Sequence, residues 1–192
     1  FDVTPRLNYY QFNVNPNKKN SSYTVTQLKK GIIRVILNDN DEQTTMLKFG
    51  ILSLENERDP VYPLTAWDPK GTKISLIYAM NGKLKLMLYD VIAKTEMFTI
   101  DLTNEFDQVQ DVKYMLDSRT LLLSAVKNGH TDIFTYDLEK EKSTQITNDV
   151  YDNLDPSFVT FPNKMGIIFV SNRPSADAPS SDKVLPSDNK LN

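Results

Sequence analysis

The sequence predicts an all-β fold built from repeated four-stranded antiparallel sheets. Landmarks recur at a fixed spacing: Asn81-Gly82 and Asn128-Gly129 lie 47 residues apart, and the same shift carries Tyr89-Asp90 onto Tyr136-Asp137. Asn and Gly tolerate a positive φ, which a two-residue hairpin requires at both of its turn positions. The segments on either side of these turns are rich in apolar residues, and several alternate apolar with polar. Four strands in about 47 residues are typical of a β-propeller blade.

Each copy of the repeat contains the same order of elements. An extended segment ends near Trp67 in one copy and near Tyr114 in the next, and a polar turn follows, such as Asp68 to Gly71. The predicted second strands are 74–78, 121–126 and 167–170, and the predicted outer strands are 94–102 and 142–146. Large residues at equivalent positions fill the layers between packed sheets. We therefore assign Trp67, Tyr114, Phe158 and Phe169 to the core.

The repeat divides the chain into four segments. Residues 1–59 are expected to hold one diverged blade preceded by part of another, with strands at 23–28, 31–37 and 45–54 and a polar turn at 38–41. Blades are expected at 60–102 and 106–149, and the first half of a further blade at 150–192, with a long hairpin insertion at 174–192. A half blade leaves unpaired strand edges. The sequence therefore predicts an incomplete propeller that continues after residue 192.

Composition excludes several classes of function. The chain has 192 residues, of which 40% are hydrophobic, with a net charge of -3 and no basic stripe, so a nucleic-acid partner is not expected. It contains no cysteine, which excludes disulfides and cysteine-based metal sites. No apolar run reaches the length of a membrane span. The chain begins at Phe1 and lacks a signal-peptide pattern, which indicates processing or an excerpt of a longer protein.

The sequence does not predict an active site. A nucleophilic serine needs a base, which is usually histidine, and the one histidine of the chain, His130, follows the hairpin dipeptide Asn128-Gly129. No Gly-x-Ser-x-Gly elbow occurs. We therefore expect no enzymatic activity and no cofactor within these residues.

One acidic loop could in principle hold a metal ion. Asp149, Asp152 and Asp155 recur at every third residue, and carboxylates on a turn are ligands for Ca²⁺. The loop lacks the glycine and the terminal glutamate of an EF-hand. Asp side chains also shape turns by accepting hydrogen bonds from nearby backbone N–H groups. We favour that second role, and no metal is expected.

Three short motifs and one aspartate connect the chain to a known family. The motif Gln145-Ile146-Thr147-Asn148 is followed by Asp152, by Asp155-Pro156-Ser157 and by Ser171-Asn172-Arg173. This stretch closely resembles the repeat of TolB-like β-propellers. The resemblance implies a six- or seven-bladed propeller found outside the bacterial cytoplasm. Such propellers often serve as protein-interaction platforms at the cell envelope, and some form the gating domain of serine peptidases.

Topology points to a recognition surface. In an up-and-down blade, the hairpin between the second and third strands lies on the same side as the loop that leads into the next blade. Loops on a rigid scaffold commonly carry recognition. The candidate binding residues on this side are Tyr151, Asp152, Asn153, Arg173 and His130. Tyr151 suits either a binding hot spot or a loop anchor.

Three functions remain open from the sequence. The first is a non-catalytic interaction propeller at the bacterial envelope that binds a protein partner. The second is the propeller of a larger hydrolase, and the third is a carbohydrate- or ligand-binding propeller. The sequence names neither the partner nor the oligomeric state.

Overall fold

The computed structural model describes residues 8–17, 21–50 and 61–174, which fold as antiparallel β-sheet without a helix. The chain divides into two compact units, residues 1–103 and 104–192. Positions 51–54 of one predicted strand, and positions 175–192 of the predicted insertion, lie outside the described residues. The all-β class with four-stranded sheets is confirmed.

The first unit contains two four-stranded sheets, each with its strands in sequence order. The first sheet is formed by β1 (Asn8–Val14), β2 (Tyr23–Lys29), β3 (Ile32–Asp39) and β4 (Glu42–Gly50). The second is formed by β5 (Leu64–Trp67), β6 (Lys73–Met80), β7 (Lys83–Asp90) and β8 (Thr95–Asp101).

The second unit repeats this architecture. Its four-stranded sheet consists of β9 (Gln108–Tyr114), β10 (Thr120–Lys127), β11 (His130–Asp137) and β12 (Lys142–Gln145). The described residues then form a two-stranded sheet of β13 (Asn153–Phe161) and β14 (Lys164–Ser171). Strand β13 contacts β9, β10 and β11, so the two sheets pack together.

Two-residue hairpins set the strand register. Asn81 and Gly82 have φ values of 53° and 73°, and Asn128 and Gly129 have φ values of 56° and 82°. Both turn positions are therefore left-handed, as in a type I′ turn. The hairpin turns predicted from these two Asn-Gly dipeptides are confirmed.

The recurring Tyr-Asp landmark is explained by turn chemistry. Asp90 ends β7, and its Oδ1 accepts hydrogen bonds of 2.8 Å from the backbone N–H groups of Ile92 and Ala93. Asp137 ends β11 in the same way and accepts from Glu139 and Lys140. A carboxylate at the strand end thus organises the turn that leads to the outer strand.

The core of the first unit lies between its two sheets. Val35 and Leu37 of the first sheet pack against Trp67, Ile74 and Leu76 of the second. Burial of these side chains supplies the main stabilisation, at roughly 25 cal/mol per Å² of apolar surface.

Polar contacts align β1 with β5 beside this core. The Asn13 amide donates to the Thr65 carbonyl at 2.8 Å, and the Trp67 indole donates to the Asn13 carbonyl at 3.1 Å. The side-chain oxygen Oε1 of Gln11 accepts a hydrogen bond from the Thr65 backbone N–H at 3.0 Å.

The N-terminal sheet differs from its predicted form in two respects. Strand β1 was not predicted individually, because Gln11 and Asn13 interrupt its apolar pattern and point to Thr65, which is distant in sequence. Gly31 was expected in a strand, but it occupies a turn with a φ of 68°.

The assigned core aromatic residues are not buried equally. Trp67 is buried, whereas Tyr114, Phe158 and Phe169 are half-buried. The second unit instead centres on Phe134, whose ring meets that of Phe106 edge to face at 4.9 Å.

Candidate functional site

The loop between β12 and β13 is fixed to the sheet by a threonine. The Thr147 hydroxyl accepts a 2.9 Å hydrogen bond from the Ile133 backbone N–H and donates a 2.7 Å bond to the buried Asp132 carboxylate. The first unit repeats the first of these contacts, because the Thr103 hydroxyl accepts from the Leu84 backbone N–H at 3.1 Å. Thr147 therefore links the end of the outer strand β12 to the third strand β11.

Asn153 shapes the same loop from the inside. Its side chain is fully buried, and its amide group donates to the Tyr151 carbonyl at 3.2 Å and to the Thr147 hydroxyl at 3.3 Å. A buried amide with these partners holds the backbone but does not reach a surface ligand. Asn153 thus fixes the conformation of the loop.

Asp152 is joined to the end of β14. Its backbone N–H donates to Asn172 Oδ1 at 2.9 Å, and the Asn172 backbone N–H donates to the Asp152 carbonyl at 3.3 Å. Asn172 is fully buried. The motif Ser171-Asn172-Arg173 therefore closes the loop against the strand that ends beside it.

Arg173 stacks on Tyr151. Its guanidinium carbon lies 5.8 Å from the centre of the tyrosine ring, and its Nη2 pairs with Asp149 Oδ2. Asp149 Oδ1 in turn accepts from the Tyr151 backbone N–H at 2.9 Å. A cation over an aromatic face contributes about 0.5–1 kcal/mol at an exposed position.

The second unit contains another group in which a cation lies over an aromatic ring and is close to a carboxylate. Lys127, at the end of β10, lies 5.7 Å from the centre of the Phe106 ring and 3.8 Å from the Glu105 carboxylate. Phe106 is buried, so this aromatic residue anchors its loop. The similarity between the Phe106–Lys127 and Tyr151–Arg173 pairs favours a role for Tyr151 as a loop anchor over a role as a binding hot spot.

His130, the remaining candidate, is exposed at the first position of β11. The other four candidates belong to the connected group of contacts just described, and among the described residues no contact joins His130 to it. The structure therefore brings together Tyr151, Asp152, Asn153 and Arg173.

Two of the three aspartates that recur at every third residue pair with cations of the chain. Asp149 pairs with Arg173, and Asp155 accepts a 2.6 Å hydrogen bond from Lys113. Within the described ranges no three His, Asp or Glu side chains are grouped as metal ligands. The described part of the chain also contains no helix long and apolar enough to cross a bilayer.

Comparisons with solved structures identify the architecture. The chain matches a TolB-type protein from Agrobacterium tumefaciens at 18% identity and a TM-score of 0.61, over 87% of this chain and 55% of that one. It also matches the β-propeller domain of the Trilobed protease from Pyrococcus furiosus at 14% identity and a TM-score of 0.54, over 92% of this chain and 52% of that one. An acylaminoacyl peptidase matches at 11% identity and a TM-score of 0.51, over 86% of this chain and 28% of that one. No family model and no curated protein sequence matches.

The chain has the TolB-like β-propeller fold. It spans about half the length of the first and second of these structures.

Strands β9 and β13, each the first strand of its sheet in the second unit, carry a charged cluster. Lys113 of β9 donates to Asp155 at 2.6 Å and to Ser157 at 3.1 Å, and it lies 3.4 Å from Asp111 Oδ2. Burial raises the pKa of Asp111 above its ordinary value, although the charge of Lys113 opposes this. The hydrogen bond from Lys113 lowers the pKa of Asp155. Lys113 therefore joins two neighbouring sheets of the propeller fold.

The loop of the TolB-like motif also exposes two apolar side chains that sequence reasoning missed. Val150 is 55% exposed and Ile146 is 47% exposed, although both belong to a loop whose backbone is held by buried bonds. The signal was available in the sequence, since both are aliphatic residues within an otherwise polar loop. These two side chains form the apolar part of the candidate surface.

Proposed function

We propose that this chain is part of a non-catalytic propeller that binds a protein partner at the bacterial cell envelope. The binding surface is the loop 146–152 with Arg173 and with the hairpin 128–130, which lies at the same end of the sheet. The TolB-like fold supports this function class and the envelope location.

One observation carries the proposal: the loop is rigidly held, yet it exposes apolar side chains. Thr147, Asn153 and Asn172 fix its backbone by hydrogen bonds within the protein. Val150 and Ile146 remain exposed. A preorganised loop loses little conformational entropy on binding, so exposed apolar area there contributes effectively to affinity.

Photo-crosslinking of the full-length protein in its native envelope tests the proposal. A photoreactive phenylalanine analogue is placed at Val150, and in a matched control at Leu116, which is 65% exposed on the turn at the other end of the same sheet. We expect a discrete crosslinked protein from position 150 and none from position 116. Equal crosslinking from both positions, or none from position 150, contradicts the proposal.

The second candidate function is the propeller of a larger peptidase. The likeness to the propeller domain of the Trilobed protease and to an acylaminoacyl peptidase favours it. A fluorophosphonate probe that labels active-site serines separates the two candidates when applied to the full-length protein. Labelling that is abolished by heat denaturation favours the peptidase, and absence of labelling favours the scaffold.

A further inference from the structure

Four parts of the second unit lie at the same end of its strands. They are residues 104–107 before β9, the hairpin 127–130, the loop 146–152 and Arg173, and together we call them the loop end. The Asp107 N–H donates to the Val126 carbonyl at 2.9 Å, which holds 104–107 beside the hairpin. Sheets pack on one another through their faces, so loops that follow the ends of strands lie outside the packed layers.

Both cations of the loop end are engaged within the protein. Lys127 Nζ lies 3.8 Å from Glu105 Oε1 and stands over an aromatic ring. Arg173 pairs with Asp149 and also stands over an aromatic ring. Each cation therefore balances one carboxylate of the same surface.

The other two carboxylates of the loop end have no cation beside them in the part of the chain that the structure describes. Asp107 is exposed directly before β9. Asp152 is half-buried, and its Oδ2 accepts a hydrogen bond of 3.5 Å from the Asn172 amide. The loop end thus carries an excess of two negative charges, at Asp107 and Asp152.

This negative charge lies on a surface that also exposes apolar groups. Val150 stands between Asp149 and Asp152 in the loop and is 55% exposed, and Ile146 is 47% exposed. Fixed charges at the edge of an interface repel a partner of like charge and speed the association of a partner of opposite charge. An exposed pair of opposite charges contributes about 0.2–1 kcal/mol.

We propose that the partner of the loop end presents a basic and apolar peptide segment. An aliphatic or aromatic side chain of the segment packs on Val150 and Ile146, and flanking lysine or arginine side chains pair with Asp107 and Asp152. This inference rests on the proposed function, because it names the chemistry of the partner that the same loop binds. Charge complementarity carries it, since the surface has no cation of its own left to pair with these two carboxylates.

Selection of peptides on the full-length protein tests this inference, with a phage-displayed library of random dodecapeptides as the probe. The informative peptides are those whose binding is weakened by Val150→Ser. We expect them to place lysine or arginine next to an aliphatic or aromatic residue. Peptides of this group that carry no basic residue, or the absence of any peptide that depends on Val150, would overturn the inference.

Affinity measurements on one selected peptide then test the two carboxylates. We expect Asp107→Asn and Asp152→Asn each to weaken binding about threefold at an unchanged Tm, which corresponds to a surface ion pair. Glu139→Gln is the matched control, since Glu139 is 72% exposed on a turn at the other end of the sheet. Equal affinities for the unmodified protein and both aspartate variants would overturn the inference.

A charge exchange distinguishes a direct ion pair from a general effect of net charge. The selected peptide with its basic residues replaced by glutamate should bind Asp107→Lys more tightly than it binds the unmodified protein. No such gain would overturn the ion pair with Asp107. A protein crosslinked at position 150 together with failure of these peptide tests removes only the inference, whereas absence of that crosslink removes the proposed function itself.

Discussion

At the scale of single residues, Gly71 is the position where the backbone tolerates least change. It has a φ of 71°, and a Cβ there would lie 1.9 Å from Asn15 Oδ1. The Asn15 amide also donates to the Gly71 carbonyl at 3.1 Å. We expect Gly71→Ala to lower the free energy of unfolding by about 2–4 kcal/mol, because it adds a clash to the cost of a left-handed alanine.

Urea unfolding checks this prediction, with Gly129→Ala as the matched control. Gly129 has a φ of 82° but nothing lies within 4 Å of an added Cβ. Gly129→Ala should lower the free energy of unfolding by only about 1 kcal/mol, which is the cost of a left-handed alanine. Equal losses in the two variants would show that the clash with Asn15 is relieved at no cost.

Asp101 supplies a residue-scale prediction about pH. Hydrogen bonds from the Thr103 hydroxyl and backbone N–H, with a further bond from Lys83, lower its pKa from 3.8 to about 2. A lowered pKa means that the stabilisation from this carboxylate is present above pH 3.8 and is lost as the pH falls towards 2. We expect Thr103→Val to return the pKa towards 3.8, as measured from carboxyl ¹³C shifts. A pKa that stays near 2 in the variant would assign the shift to other groups.

At the scale of elements, Lys113 connects strands β9 and β13. The motif Asp155-Pro156-Ser157 creates a bulge, with Asp155 at a φ of 47°, and the pairing of β13 with β14 shifts between Leu154 and Ser157. A proline is tolerated in a strand at such an irregularity. The bulge places Asp155 and Ser157 together on the Lys113 ammonium group.

Replacement of Lys113 by methionine should therefore destabilise the second unit. The expected loss is about 1 kcal/mol at pH 7, modest because the lysine is 40% exposed. Asp111 has a raised pKa, so its contribution favours folding at low pH and is lost as the pH rises through its folded pKa. The loss of stability caused by Lys113→Met should therefore be smaller at acidic pH than at pH 7.

Chemical unfolding at pH 7 and pH 4 measures this deficit. Lys140→Met is the control, since Lys140 is 73% exposed and makes a 3.9 Å pair with Asp137. A deficit that is the same at both pH values, or that the control reproduces, contradicts the role given to Lys113.

Local and distant interactions explain what could be predicted from the sequence. The hairpins at 81–82 and 128–129 follow from dipeptides that determine their own backbone, so they were predictable. Strand β1 was missed because the partner of Gln11 and Asn13 is Thr65, more than fifty residues away. Tyr151 could not be assigned as anchor or hot spot, because the cation above its ring belongs to Arg173 at the end of another strand.

At the scale of the whole molecule, the TolB-like fold places the loops at the ends of rigid sheets. Within the second unit, the loop 146–152 and the hairpin 128–129 lie at one end of the sheet, and the turns 115–119 and 138–141 lie at the other. If the partner binds at one end of the sheet, hydrogen–deuterium exchange should slow only in the loops at that end.

Hydrogen–deuterium exchange of the full-length protein, with and without the partner captured at position 150, tests this account most directly. The account predicts slower exchange in 146–152 and at 128–130 when the partner is bound, and no change in 115–119 or 138–141. Slower exchange at the turns 115–119 and 138–141 instead, or no change in 146–152, would contradict it.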